Sequence, residues 1–459
     1  MSALMIRESK GGGPIRLGIY AALVISAGLG AVSLGKVGGG NLRLWEALLF
    51  ALALATCTGA LVRRQIIFSF SPLLVLVACY VAAVILSGMN AADSAIWWQR
   101  VILVLAMTLL FFVMSQRSTQ KEFDLYSNLV IYSGVCFGLL GILDVFLFTS
   151  APNVFEFIHQ WDGGRQFGGE GVDELALYDS TLRTRGFFTE SNEFSQYLSL
   201  PFGFLLAAMF FKHRKAGSKL VYLYGIAIVF LAQVMTLSRG GLVCFFAELL
   251  GLLLVKKLSD VGWTIRAGNY LTIALVAISL AVGGMSYVGE DLAATFETAA
   301  FRVYSTGTSD DWTSEIKIGN YQEALNSAAE SAENLLVGVG AGNLYNSSVA
   351  EATTTNQFMD VLVEMGIIGS IFYVSIAMSL LWQSYKFMKS GLWKSSNKLF
   401  VAFVGAFVSF FGMLIGGMTY PTHMLFFFWL NAGLLSAICR YRVGIKPAGQ
   451  GAVLRRRTI

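Results

Sequence analysis

The sequence predicts an all-α integral membrane protein that crosses the bilayer many times, with both chain ends in the cytoplasm. Three observations predict it. Hydrophobic residues make up 56% of the 459 residues and charged residues only 13%, about half the charged share of a soluble globular chain. The charges fall in short clusters between long apolar runs. Those clusters alternate in sign content from one loop to the next, as cytoplasmic and outer loops do.

Backbone in hydrocarbon must satisfy its own N–H and C=O groups, so long apolar runs mean helices. A transmembrane β-barrel would show short alternating segments, and none is present. Runs of about spanning length lie near 15–34, 44–62, 66–88, 97–115, 124–148, 192–211, 220–237, 241–255, 270–288, 357–382, 399–419 and 423–439, which predicts about a dozen helices in a single membrane domain. The first run lacks a small-residue cleavage site and reads as a span rather than a signal peptide. The run at 241–255 is short, and Lys256 and Lys257 extend it by snorkelling.

Placing the N-terminus inside puts Arg7, Lys10, Arg16, Arg63, Arg64, Arg117, Lys121, Lys212, Arg214, Lys215, Lys219, Lys256, Lys257, Arg266, Lys386, Lys389, Lys394 and Lys398 on the cytoplasmic side, with the basic tail at 440–459. The other side keeps few cations: Lys36, Arg43, Arg100, Arg165, Arg183, Arg185, Arg239, Arg302 and Lys317. This alternation predicts the orientation. It also assigns the net charge of +5 to the membrane surface rather than to nucleic acid. The five cysteines all fall in apolar runs, with no CxxC pattern, which gives neither a disulfide framework nor a metal knuckle.

Two outer segments are long, at 150–190 and 289–356, and long segments on one face commonly carry function. The second contains "SEIKIGNYQEALNSAAESAENLL", in which Ile316, Tyr321, Ala324 and Leu325 are expected to share one face of an amphipathic helix.

The outer arginines are the main chemical signal. Arg183 and Arg185 precede the sixth span in "RTRGFFTESNEFSQYL", Arg239 stands between the seventh and eighth in "TLSRGGL", and Arg302 lies in the second long segment. A guanidinium fork binds phosphate oxygens bidentately, so several at headgroup level suit a lipid-linked diphosphate. The alternative is pairing with Glu190, Glu193 or lipid headgroups. Gly240 and Gly241 are expected to make a sharp turn and to leave open N–H groups at a helix start.

"GVGAGN" at 338–343 lacks a surrounding βαβ unit, so it reads as a glycine turn re-entering the membrane surface and not as a nucleotide loop. Asp360 and Glu364, four apart, are expected on one face just inside the outer interface, as a general base or as a partner of an arginine. Asp144 and Glu248 are acids within apolar runs, either functional or packing. His423 in "YPTHM" reads as an interfacial turn residue, and His159 and His423 show no metal-ligand spacing.

With these residues in view, the sequence resembles the O-antigen ligase and polymerase superfamily. The resemblance rests on "RTRGFFTESNEFSQYLSLPF", "TLSRGG", "LLVGVGAGN" and "TNQFMDVLVEMGIIG", in that order, and covers roughly residues 180–375. It implies a glycosyltransferase acting on undecaprenyl-diphosphate-linked glycan at the periplasmic face of the bacterial inner membrane, inverting and free of metal or other cofactor. It implies that Arg185 and Arg239 contact the diphosphate, with Arg183, Arg302, Asn192 and Asn356 also binding substrate. Membrane lipids, a chain-length regulator and a flippase of the same pathway are the partners it implies. Ligases of the family carry a His before the Asn of the last motif, whereas this chain has Thr355 before Asn356. That departure points to a repeat-unit polymerase over a ligase, and leaves Glu190 and Glu193 as substitutes for the missing base. A transporter is the rival of another class. It would concentrate polar and broken-helix features at mid-membrane.

Overall fold

A computed structural model of the chain describes residues 14–29, 33–37, 40–51, 71–116, 119–151, 153–154, 177–178, 181–188, 190–211, 216–259, 312–344, 356–391 and 396–441. The described residues are helical apart from two short antiparallel ribbons. In chain order they form α1 (Pro14–Ser26), β1 (Ser33–Val37), β2 (Gly40–Arg43), α2 (Pro72–Leu86), α3 (Ser94–Met114), α4 (Gln120–Ser150), β3 (Leu177–Tyr178), β4 (Thr181–Leu182), α5 (Ser191–Phe211), α6 (Ala216–Met235), α7 (Arg239–Ser259), α8 (Trp312–Ala329), α9 (Ala332–Val337), α10 (Gln357–Ser390), α11 (Asn397–Gly416) and α12 (Phe426–Arg440).

Six helices among the described residues are long and apolar enough to cross a membrane: α2 with its 3-10 extension to Asn90, α3, α4, α5, α10 and α11. The chain is in this respect an all-α membrane protein. The run at 270–288 lies outside the described residues, and 44–62 does so in part. Within the run at 15–34, α1 covers Pro14–Ser26 and the chain enters β1 at Ser33.

The core is built around α5, which packs on α4, α6, α7 and α11 and is buried from Phe194 to Phe211. Glycines let these helices approach closely, as small residues do at helix interfaces in lipid. Gly203 lies against Ser409, Gly405 against Phe204, and Gly134 against the ring of Pro201. Phe202 and Phe245 stack with centroids 3.9 Å apart. On the other flank α2 packs on α10 and α3 on α12.

The helix α10 is not continuous. Gly366 has φ 65° and ψ −170°, a conformation open essentially to glycine alone. The backbone carbonyls freed at this break are not left bare. Val363 O accepts from Val339 N at 2.9 Å, and Glu364 O from Gly340 N at 3.2 Å. The glycine turn at 338–343 is therefore buried and docked on the broken helix, with Gly338, Gly340 and Gly342 all at positive φ.

The amphipathic helix α8 forms, but its buried face differs from the expected one. Ala324, Ser327 and Ala328 are buried while Leu325 is exposed. Tyr321 is half-buried, and the side chain of Ile316 lies outside the described residues.

Candidate functional site

Several of the segments that flank helices α5, α6, α10 and α11 are tied together by long-range hydrogen bonds. Thr184 N donates to Met235 O at 3.1 Å, joining the segment before α5 to the end of α6. Tyr420 OH donates to Glu190 Oε2 at 3.4 Å, and Gln357 N donates to Gly417 O at 2.7 Å. These contacts bring the segments carrying the sequence-predicted residues into one region.

Three of the four predicted arginines sit on two touching segments. Arg183 is half-buried. Its Nε donates to Thr236 O at 3.2 Å and its Nη2 to Asn192 Oδ1 at 3.2 Å. The partner of Arg183 is thus an amide and a carbonyl as well as whatever else it meets, and not only the carboxylates expected as its alternative. Arg185 is buried. It is followed by Gly186 at φ 50°, which turns the chain against the Phe194 ring. Arg239 is half-buried and is the first residue of α7. Arg302 lies outside the described residues.

The turn before Arg239 is corrected. Gly240 and Gly241 are helical, and the left-handed residue is Leu237, φ 52°. Ser238 caps α7, its Oγ accepting from Gly241 N at 3.3 Å, so that N–H is already satisfied. The two glycines serve close packing instead. A Cβ on Gly240 would strike Thr419, and one on Gly241 would strike Gln233 and Ser195.

The predicted polar partners are distributed unequally. Glu190 is exposed and Glu193 half-buried, in and beside the first turn of α5. Asn192 holds Arg183. Asn356 caps α10, its Oδ1 accepting from Phe358 N at 2.9 Å and Met359 N at 3.4 Å, a structural role the sequence reading did not assign. Asp144 and Glu248 are buried as expected. Thr184 Oγ1 donates to Asp144 Oδ2 at 3.4 Å, and Ser199 hydrogen-bonds Glu248.

Asp360 and Glu364 are both buried within the protein. Glu364 accepts a hydrogen bond from the Gly342 backbone and lies in the field of Arg100. His423 is a turn residue as expected, with its side chain enclosed by protein. It stands in the 3-10 turn Thr422–Met424, is 2% exposed, and packs edge-on against Tyr373 at 5.7 Å. Burial pushes its imidazole down to about 3, with the Arg100 guanidinium adding to the effect. Arg100, Tyr373 and Tyr80, which lie around His423, were not singled out from the sequence. The only sequence signal was that Arg100 is one of the few cations expected on the outer side.

Among the described residues, no three His, Cys, Asp or Glu side chains are grouped to hold a metal ion. In comparisons with known proteins, no family model and no curated protein matches this chain.

Proposed function

We propose that this chain is a multi-pass protein of the bacterial inner membrane that polymerises lipid-linked oligosaccharide repeat units at the periplasmic face. About a dozen spans, with both termini in the cytoplasm, belong to the same proposal. The growing glycan leaves undecaprenyl diphosphate and joins a new repeat unit. An acceptor hydroxyl oxygen attacks the anomeric carbon, the bond from that carbon to the diphosphate oxygen breaks, and undecaprenyl diphosphate departs with the electron pair. The hydroxyl proton passes to a carboxylate, Glu190 or Glu193, and the configuration inverts.

The observation that carries this reading is the placement of Arg183, Arg185 and Arg239 on two segments joined by the Thr184–Met235 hydrogen bond. Guanidinium groups near hydrocarbon are costly. Three of them on two joined segments suit a ligand of high negative charge, and their forks match phosphate oxygens. Stabilising the leaving diphosphate is then their catalytic contribution. The break in α10 is docked by the 338–343 turn.

Loss of the gene, followed by glycan chain-length analysis, tests this. A single repeat unit attached to the cell surface is the expected result. Long unattached polymer would instead make the chain a ligase, and lipid-linked units accumulating in the cytoplasm would make it a flippase.

A further inference from the structure

A second group of polar side chains, outside the arginine cluster, converges on the break in α10. Arg100 from α3, Glu364 and Tyr373 from α10, and His423 from the turn before α12 form it. Arg100 acts electrostatically on both Glu364 and His423. Tyr373 stands 5.7 Å from the His423 ring and 5.9 Å from Tyr80, centroid to centroid. Glu364, Tyr373 and His423 are each 2% exposed.

Their polar atoms are only partly used. Glu364 accepts from Gly342 N–H, but its Oε2 has no protein partner. The Tyr373 hydroxyl and both ring nitrogens of His423 have none either. Leaving a buried donor or acceptor unmade is costly, so native structures pair such groups with protein, ordered water or a bound ligand. Here four such atoms occur in one cluster. The chain also holds Gly338, Gly340, Gly342 and Gly366 at positive φ to assemble the junction, a conformation and a close backbone approach that glycine allows.

The chemistry selects the ligand. A neutral imidazole, a phenol, a carboxylate and a guanidinium together offer both donors and acceptors, which is what ring hydroxyls require. Aromatic faces frame the group: Tyr80 lies 6.1 Å from Trp429, and such faces suit the apolar side of a sugar ring. Phosphate fits poorly, because Glu364 would repel it. The site also adjoins the arginine cluster through one short turn. Tyr420 of that turn reaches Glu190, Thr422 donates to Gln357 Oε1 at 2.6 Å, and His423 enters the second cluster.

We propose that Arg100, Glu364, Tyr373 and His423 bind a sugar ring of the lipid-linked glycan beside the diphosphate site. This rests on the polymerase reading above.

The test uses the full chain in nanodiscs and two probes: undecaprenyl diphosphate alone, and the lipid-linked repeat unit extracted from a strain lacking the gene. The wild type is expected to bind the repeat unit more tightly than undecaprenyl diphosphate. Glu364→Gln should weaken the repeat unit about tenfold or more and Tyr373→Phe about threefold to tenfold, with undecaprenyl diphosphate unchanged. Tyr373→Phe removes one oxygen and keeps the ring, so it guards against a folding defect in the first variant. Equal wild-type affinity for the two probes, or variants that bind the repeat unit like the wild type, would overturn the sugar site and leave the diphosphate site standing. Binding of neither probe by the wild type would remove both. The delipidated repeat-unit oligosaccharide separates the two sources of the ring. Binding that survives Arg239→Ala assigns the ring to the acceptor, and binding seen only with the diphosphate lipid attached assigns it to the donor.

Discussion

Gly338 and Gly366 interlock at the break in α10: a Cβ on Gly338 would strike the carbonyl of Glu364, and one on Gly366 would strike the carbonyl of Leu336. Both have positive φ. The pair locks the glycine turn onto the broken helix α10 and so fixes Glu364 beside Arg100.

This contact predicts that Gly366→Ala destabilises the protein by on the order of 1–3 kcal/mol from backbone strain alone, with the clash in addition. Gly319, in α8, has nothing within 4 Å of where its Cβ would stand. Gly319→Ala should be neutral or mildly stabilising, because alanine is the better helix former. The apparent melting temperature of the detergent-solubilised variants checks this. An unchanged value for Gly366→Ala would show that the break is not required.

The spans were legible and the break was not, for a physical reason. Lipid leaves α3, α4, α5 and α10 no choice but long apolar runs, so 97–115, 124–148, 192–211 and 357–382 stand out in the sequence. Gly366 and Gly369 look alike in "EMGIIGS". Only the first is forced to positive φ, because the remote Leu336–Gly338 segment packs there. Arg183, Arg185 and Arg239 stand out in the sequence because arginine is rare in such surroundings. The burial of His423 does not, because "YPTHM" reads as a polar turn and the side chain is enclosed by residues distant in sequence.

The buried His423 carries a pH prediction. Its folded-state value, about 3, lies below the ordinary 6.5. The stability tied to its neutral form is therefore complete above about pH 6.5. It declines as pH falls from there toward 3, because only the unfolded chain is protonated in that window. The groups facing it are Arg100 and Tyr373. The melting temperature of the wild type should drop on going from pH 7 to pH 5, and His423→Phe should reduce that drop. An identical drop in the variant would mean that His423 does not titrate on unfolding in this range.

Arg239 distinguishes a phosphate fork from a headgroup anchor. If it binds the diphosphate bidentately, Arg239→Lys fails nearly as badly as Arg239→Ala, because an ammonium is a point charge. The expected loss is roughly 3–4 kcal/mol in the barrier, or about 100- to 1000-fold in rate. An anchoring residue would be replaced well by lysine, since both side chains reach the interface. Glycan chain length in a deletion strain carrying each variant, at matched protein level, gives the answer.

The most direct test is reconstitution of the purified chain in liposomes with lipid-linked repeat unit as sole substrate and a chelator present. The polymerase account predicts a ladder of longer lipid-linked glycans, with one undecaprenyl diphosphate released for each new linkage, and no ladder from Arg239→Ala. Repeat units that remain single, or that cross the bilayer without any linkage formed, would contradict it.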